Sequence, residues 1–218
     1  MTRVLPPLAA ALVILFARLI TAVRGEWHGC EPLPVQRVYF ANHASNGDFV
    51  LLWTVLPPAL RRQSRPVAAA DYWHAGPIRR FLIGDVFRGV MIDRVRHEGS
   101  ADPIEIMTDA LDAGDSLIIF PEGTRNTTDA KLLPLKSGIY RLATARPDVE
   151  LIPVWINNLN RVLPKGELLP IPVLCTVIFG APLRIEQDEA KNAFLERARD
   201  ALLGLAPTAA PDSDEDSR

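Results

Sequence analysis

Two cysteines in 218 residues, Cys30 and Cys175, are too few for a disulfide framework, and a reducing compartment follows as the simpler setting. Four histidines scattered at positions 28, 43, 74 and 97 supply no ligand cluster for a hydrolytic metal centre. There is no Walker loop, no Gly-x-Gly-x-x-Gly and no Gly-x-Ser-x-Gly, which argues against nucleotide enzymes and against a serine esterase built on Ser45 and His43. No dense Lys/Arg run with interleaved aromatics occurs, so nucleic acid is not expected as a partner. The longest uninterrupted apolar run, Leu8–Ala17, is about half of the ~20 residues that a spanning helix needs.

What remains is an ordinary globular composition, 48% hydrophobic and 23% charged, long enough for one domain with a full core. The formal charge of −2 hides an asymmetry, with residues 1–97 at +6 and residues 98–218 at −8. A basic N-terminal half suits anionic lipid or a phosphorylated substrate, although a mixed soluble face gives the same count. The preference for Arg over Lys, with abundant Ala and Pro, points to a GC-rich bacterial genome.

Residues 1–25 read as an apolar, membrane-associating segment. Arg18 is able to snorkel, and Arg24, Trp27 and His28 stand where an interfacial belt would be. A signal peptide and a buried core helix are the alternatives. Further on, strands are expected at Gln36–Ala41, Pro66–Ala70, Val86–Ile92, Ser116–Phe120, Leu151–Ile156 and Cys175–Phe179. Helices are expected between them: Phe49–Leu56, one opened by Asp102-Pro103-Ile104-Glu105, one capped by Ser137, and a last one opened by Asp188. The last helix should turn Ala190, Phe194, Ala198 and Leu202 inward. Alternating strands and helices give an α/β fold, a single domain with a central largely parallel or mixed sheet flanked by helices. The acidic residues 207–218 read as a disordered tail.

Two segments carry chemistry. In Asn42-His43-Ala44-Ser45-Asn46-Gly47-Asp48 the histidine falls at the carboxyl end of a strand and Asp48 near a helix N-terminus. A carboxylate on one imidazole nitrogen fixes the tautomer and leaves the other nitrogen free as a base. In Phe120-Pro121-Glu122-Gly123-Thr124-Arg125, Gly123 permits close approach of the backbone and Arg125 offers a fork for phosphate oxygens. Glu122 would hold that arginine or bond a substrate hydroxyl. Asn126-Thr127-Thr128 spells a glycosylation acceptor, read as coincidence.

These two segments resemble the first and third blocks of the glycerolipid acyltransferase family, whose best-known members are the 1-acylglycerol-3-phosphate acyltransferases. Gly89-Val90-Met91-Ile92-Asp93-Arg94 is similar to the second block, and Leu151-Ile152-Pro153-Val154-Trp155-Ile156 to the fourth. Leu135-Lys136-Ser137-Gly138 is similar to the lysine-glycine step after the third. The resemblance covers roughly residues 35–185 and implies an acyltransferase domain over 26–206. It implies His43 as general base oriented by Asp48. Arg94, Glu122, Gly123, Thr124 and Arg125 would hold the acceptor's glycerol-phosphate end, with Lys136 in support, and Pro153 would shape the sheet around the acyl chain or donor. It implies lysophosphatidic acid as acceptor, acyl-CoA or acyl carrier protein as donor, no cofactor or metal, and a place on the cytoplasmic face of the inner membrane. Ala44 and Gly47 depart from the commoner family pattern, which keeps other lysolipids, an amino-acid lipid among them, open as acceptors. A non-catalytic lipid-binding membrane protein is the reading from another class.

Overall fold

Every residue of Arg37–Ala41 is buried, so this strand, β2, lies at the centre of the sheet. Successive side chains point to opposite faces, and both faces are covered. Tyr39 and Ala41 join one core with Leu52, Leu56 and Phe179, while Val38 and Phe40 join the other with Leu111, Leu142 and Phe194. The computed structural model describes residues 4–93, 101–157 and 174–207.

The other strands are β1 (Arg24–Trp27), β3 (Ser64–Ala69), β4 (Val90–Ile92), β5 (Ser116–Ile119), β6 (Glu150–Asn157) and β7 (Thr176–Phe179). They form a seven-stranded sheet in the order β1-β7-β6-β2-β5-β3-β4. All neighbours are parallel except β6 and β7, so the sheet is mixed. Helices α1 (Leu5–Thr21) and α2 (Asp48–Val55) cover one face, and α6 (Pro103–Asp112), α7 (Gly138–Ala145) and α8 (Lys191–Gly204) the other. Short helices α3 (Pro58–Gln63), α4 (Ala70–Trp73) and α5 (Pro77–Phe81) fill the link through β3 toward β4.

Two strands depart from a regular ladder, and the first of them determines where a ligand fits. The first is β3, which changes partner midway: Ser64–Pro66 pair with β5, whereas Val67–Ala69 pair with β4. Beyond Pro66 the sheet therefore parts. The second is β6, which carries Pro153 mid-strand, where a missing N–H is usually excluded. Its carbonyl accepts from Gly180 at 2.9 Å, and the register slips by one residue between the Val154–Phe179 pair and the Leu151–Leu183 bridge. That slip is a bulge, a position at which proline is tolerated.

Several expectations need correction. Val86–Ile92 is not one strand: Leu82–Val86 form a π-helical turn, and only Val90–Ile92 are extended. The apolar side chains of Val86 and Phe87 fill the core from that turn, and Arg88 at φ 53° reverses the chain. Arg24–Trp27 make an edge strand, with Trp27 stacked on Phe179 at 3.9 Å. Asp102 caps α6 by accepting from the Ile104 N–H at 3.0 Å, as its sequence suggests. Ser137 precedes α7 without a side-chain cap bond. The last helix starts at Lys191 rather than Asp188, which sits at φ 56°, and Ala190 is exposed while Phe194, Ala198 and Leu202 are buried.

Helix α1 has two apolar sides. Ala9, Ala10, Val13, Ala17 and Ile20 pack on the core, and the larger Leu5, Leu8, Leu12, Leu15, Phe16 and Leu19 are exposed. Among the described residues no helix is long and apolar enough to cross a membrane. The 17 residues of α1 reach only ~25 Å, against ~30 Å of hydrocarbon.

Candidate active site

The site is built on the carboxyl end of β2. Asn42, the residue after the strand, is buried and extends the ladder with its side chain: Nδ2 donates to the Ile156 carbonyl at 3.0 Å and Oδ1 accepts from the Ile156 N–H at 2.7 Å. Asn42→Ala would strand both backbone groups, and a loss of roughly 2–3 kcal/mol of unfolding free energy is expected. A lower urea midpoint at unchanged m-value checks it.

With Asn42 pinned, His43 leaves the sheet and the chain turns into α2. Asp48, the first residue of that helix, has a side chain only 1% exposed, and its Oδ2 accepts from His43 Nδ1 at 2.8 Å, from Ala44 N–H at 2.7 Å and from Ser45 N–H at 2.8 Å. An ionised carboxylate can only accept, so Nδ1 carries the proton and Nε2 is the nitrogen free to take one. The imidazole stacks on Phe120 with centroids 4.3 Å apart. Phe120 follows β5, which pairs with β2 in parallel, so the two motifs meet at one rim.

His43 borders a cavity of about 240 Å³. The cavity occupies the parting of β3 from β5, with Pro66, Val67, Ala68 and Ala69 on one side and Ile119 and Phe120 on the other. Phe49, Trp73, Ile83, Met107 and Ile139 add to a largely apolar lining, with Asn46, Tyr72, Thr124 and Lys136 as its polar members beside His43. An alkyl chain suits such walls, with its polar end at His43.

The described residues expected at the acceptor end separate into three groups. Gly123, Thr124 and Lys136 line the cavity; Gly123 has φ 69°, a conformation that favours glycine, and an added Cβ would press on the Lys136 stem at 3.2 Å. Arg125 is exposed beside them, and among the described residues no carboxylate pairs with it. Glu122 turns inward instead: it is 1% exposed, with Oε1 accepting from the His43 N–H at 2.6 Å and Oε2 from the Leu133 N–H at 2.8 Å. Burial pushes its carboxyl above the usual range, and those two N–H groups oppose the shift. It holds neither Arg125 nor a group in the cavity. Pro153 lies within the sheet and not on the cavity wall. Arg94 lies outside the described residues.

Sequence reasoning missed Asn42 and Asn126. The Asn126 N–H donates to the His43 carbonyl at 2.6 Å, and its side chain is engaged by Ala130 and Thr128, so the apparent glycosylation signal is a loop brace. An asparagine directly after a buried strand is the signal that was available for Asn42.

Comparison with known proteins bears on the family and the fold. A protein-family model described as Acyltransferase matches residues 24–157. A 1-acyl-sn-glycerol-3-phosphate acyltransferase of Chlamydomonas reinhardtii is 29% identical over 184 residues, 80% of this chain and 52% of that protein. A Dictyostelium discoideum protein named Taffazin is 30% identical over 146 residues, 62% of this chain and 49% of that one. The chain thus spans about half the length of the curated relatives it matches. The crystal structure of PlsC, the 1-acyl-sn-glycerophosphate (LPA) acyltransferase of Thermotoga maritima, is similar in fold, with a TM-score of 0.68 over 91% of this chain and 79% of that one at 19% identity.

Proposed function

The chain belongs to the Acyltransferase family, and from that membership we propose that it moves a fatty acyl group from an acyl thioester to the free hydroxyl of a lysophospholipid, with His43 as the general base. The observation that carries this reading is the His43–Asp48 pair facing an apolar cavity at the rim of the sheet.

His43 Nε2 takes the proton of the acceptor hydroxyl while that oxygen attacks the thioester carbon. Asp48 stabilises the imidazolium that forms. The tetrahedral oxyanion collapses, the carbon–sulfur bond breaks, and the imidazolium returns its proton to the leaving thiolate. One ester forms and one thioester is lost, with no redox change and no step that calls for a metal or a covalent enzyme intermediate.

The relatives' names make lysophosphatidic acid the acceptor to test first. Arg125 and Lys136 are the cations placed to meet its phosphate, and the acyl chain takes the cavity between β3 and β5. The exposed leucine row of α1 favours a protein seated in one leaflet, as does a basic N-terminal half. The donor is acyl-CoA or acyl carrier protein, and the face of the inner membrane is the cytoplasmic one, where either donor is made.

Transfer of a labelled acyl group from acyl-CoA to lysophosphatidic acid, in detergent, tests the proposal. Diacyl product is the expected result. Absence of product with a panel of lysolipids and both donors would sink it. Within the assay, Arg125→Ala is expected to raise the acceptor KM roughly tenfold, the cost of one charge-assisted hydrogen bond, with donor KM unchanged. Equal acceptor KM values would remove Arg125 from phosphate binding.

A further inference from the structure

One turn of chain, Phe120–Asn126, touches His43 at three separate points. Phe120 lies flat against the imidazole at 4.3 Å. The Glu122 carboxylate accepts the His43 N–H at 2.6 Å, and the Asn126 N–H donates to the His43 carbonyl at 2.6 Å. We propose that Glu122 and Asn126 are positioning residues, which hold the two peptide groups that flank the His43 Cα and so aim its imidazole into the cavity. The inference rests on His43 acting as the base.

The geometry favours this role for Glu122 over contact with the acceptor. A carboxylate that bonds a substrate hydroxyl keeps an oxygen open to the cavity, whereas Glu122 is 1% exposed and spends both oxygens on backbone N–H groups. Its second bond, to Leu133, ties the far end of the same loop to the same carboxylate. Asn126 is braced in turn: Nδ2 donates to the Ala130 carbonyl, and Oδ1 accepts from the Thr128 N–H at 3.0 Å and hydroxyl at 2.8 Å. The Lys136 N–H closes the base of the loop on the Pro121 carbonyl at 2.7 Å.

The physical consequence is a fixed Cα–Cβ direction. A histidine side chain has two torsions; Asp48 and Phe120 restrain them, but both restraints work only while the two flanking peptide planes stay still. A loop histidine free to rock would carry its Nε2 through an ångström or more, and such a displacement costs about a hundredfold in rate.

The test compares Glu122→Gln, Asn126→Ala and His43→Ala in the full chain, with acyl-CoA and lysophosphatidic acid as substrates. Rates are taken per folded molecule from circular dichroism, and the hydrogen-bonded Nδ1 proton of His43 is followed by NMR. Glutamine keeps the shape of Glu122 but turns an N–H₂ against a backbone donor. Glu122→Gln is expected to lower kcat about a hundredfold with the acceptor KM unchanged, and to broaden or lose the His43 proton signal. Asn126→Ala should lower kcat about tenfold with the same spectral change, through loosening of the loop. A tenfold rise in acceptor KM at unchanged kcat, the mark of an acceptor contact, overturns the proposal, as does an unaltered kcat and signal. If Glu122→Gln does not fold, Asn126→Ala decides by the same two readings. Wild-type turnover in His43→Ala would refute the base assignment instead, while the proton signal still reports whether the grip exists.

Discussion

His43→Ala is expected to remove acyl transfer almost completely, by roughly 10⁴-fold, the upper range for a positioned general base. Its ring is partly exposed and its loop is held through the backbone, so the fold should survive the change. A thermal midpoint within about 4 °C of wild type, equivalent to ~1 kcal/mol for a chain of this size, is the structural control. Radiolabelled product formed at the wild-type rate by the folded variant would reassign the base.

Asp48→Asn is the second large effect. Oδ2 serves three donors, while Oδ1 is buried with no hydrogen-bond partner among the described residues. An asparagine that keeps its oxygen toward His43 places its N–H₂ where nothing accepts, and one that flips turns a donor against His43 Nδ1–H. The first cannot stabilise the imidazolium; the second forces the wrong tautomer. Either way a fall of roughly 10²–10⁴-fold in kcat is expected, with a change in acceptor KM far smaller than in kcat. Pre-steady-state mixing with labelled donor separates the outcomes: a kcat near that of wild type would place the imidazole's support elsewhere.

The dyad was legible because it is local. His43 and Asp48 are five residues apart across a strand-to-helix turn, and here that turn brings them into contact at 2.8 Å. The direction of Glu122 was not. Motif spacing places a residue at a rim but does not say whether its side chain faces the ligand or the loop behind it. Asn126 reaches His43 through its backbone N–H, which any residue but proline would supply. The strand β1 was hidden for another reason: Arg24 and Glu26 are exposed on a sheet edge, so no buried alternation marks it. On α1 both faces are apolar, so no apolar–polar alternation marks which side faces inward. The core strands β2, β5 and β6, buried on both faces, were the easiest to read.

The parting of β3 from β5 makes the cavity a property of the hydrogen-bond ladder and not of any wall. Its depth is counted in strand residues, each worth ~3.3 Å, so it can lengthen or shorten only in steps. Pro66 stands at the last shared rung, opposite Ile118. It is also the residue at which β3 leaves β5 as partner and takes up β4. The opening thus begins at a single position, the rung at which one strand changes its neighbour.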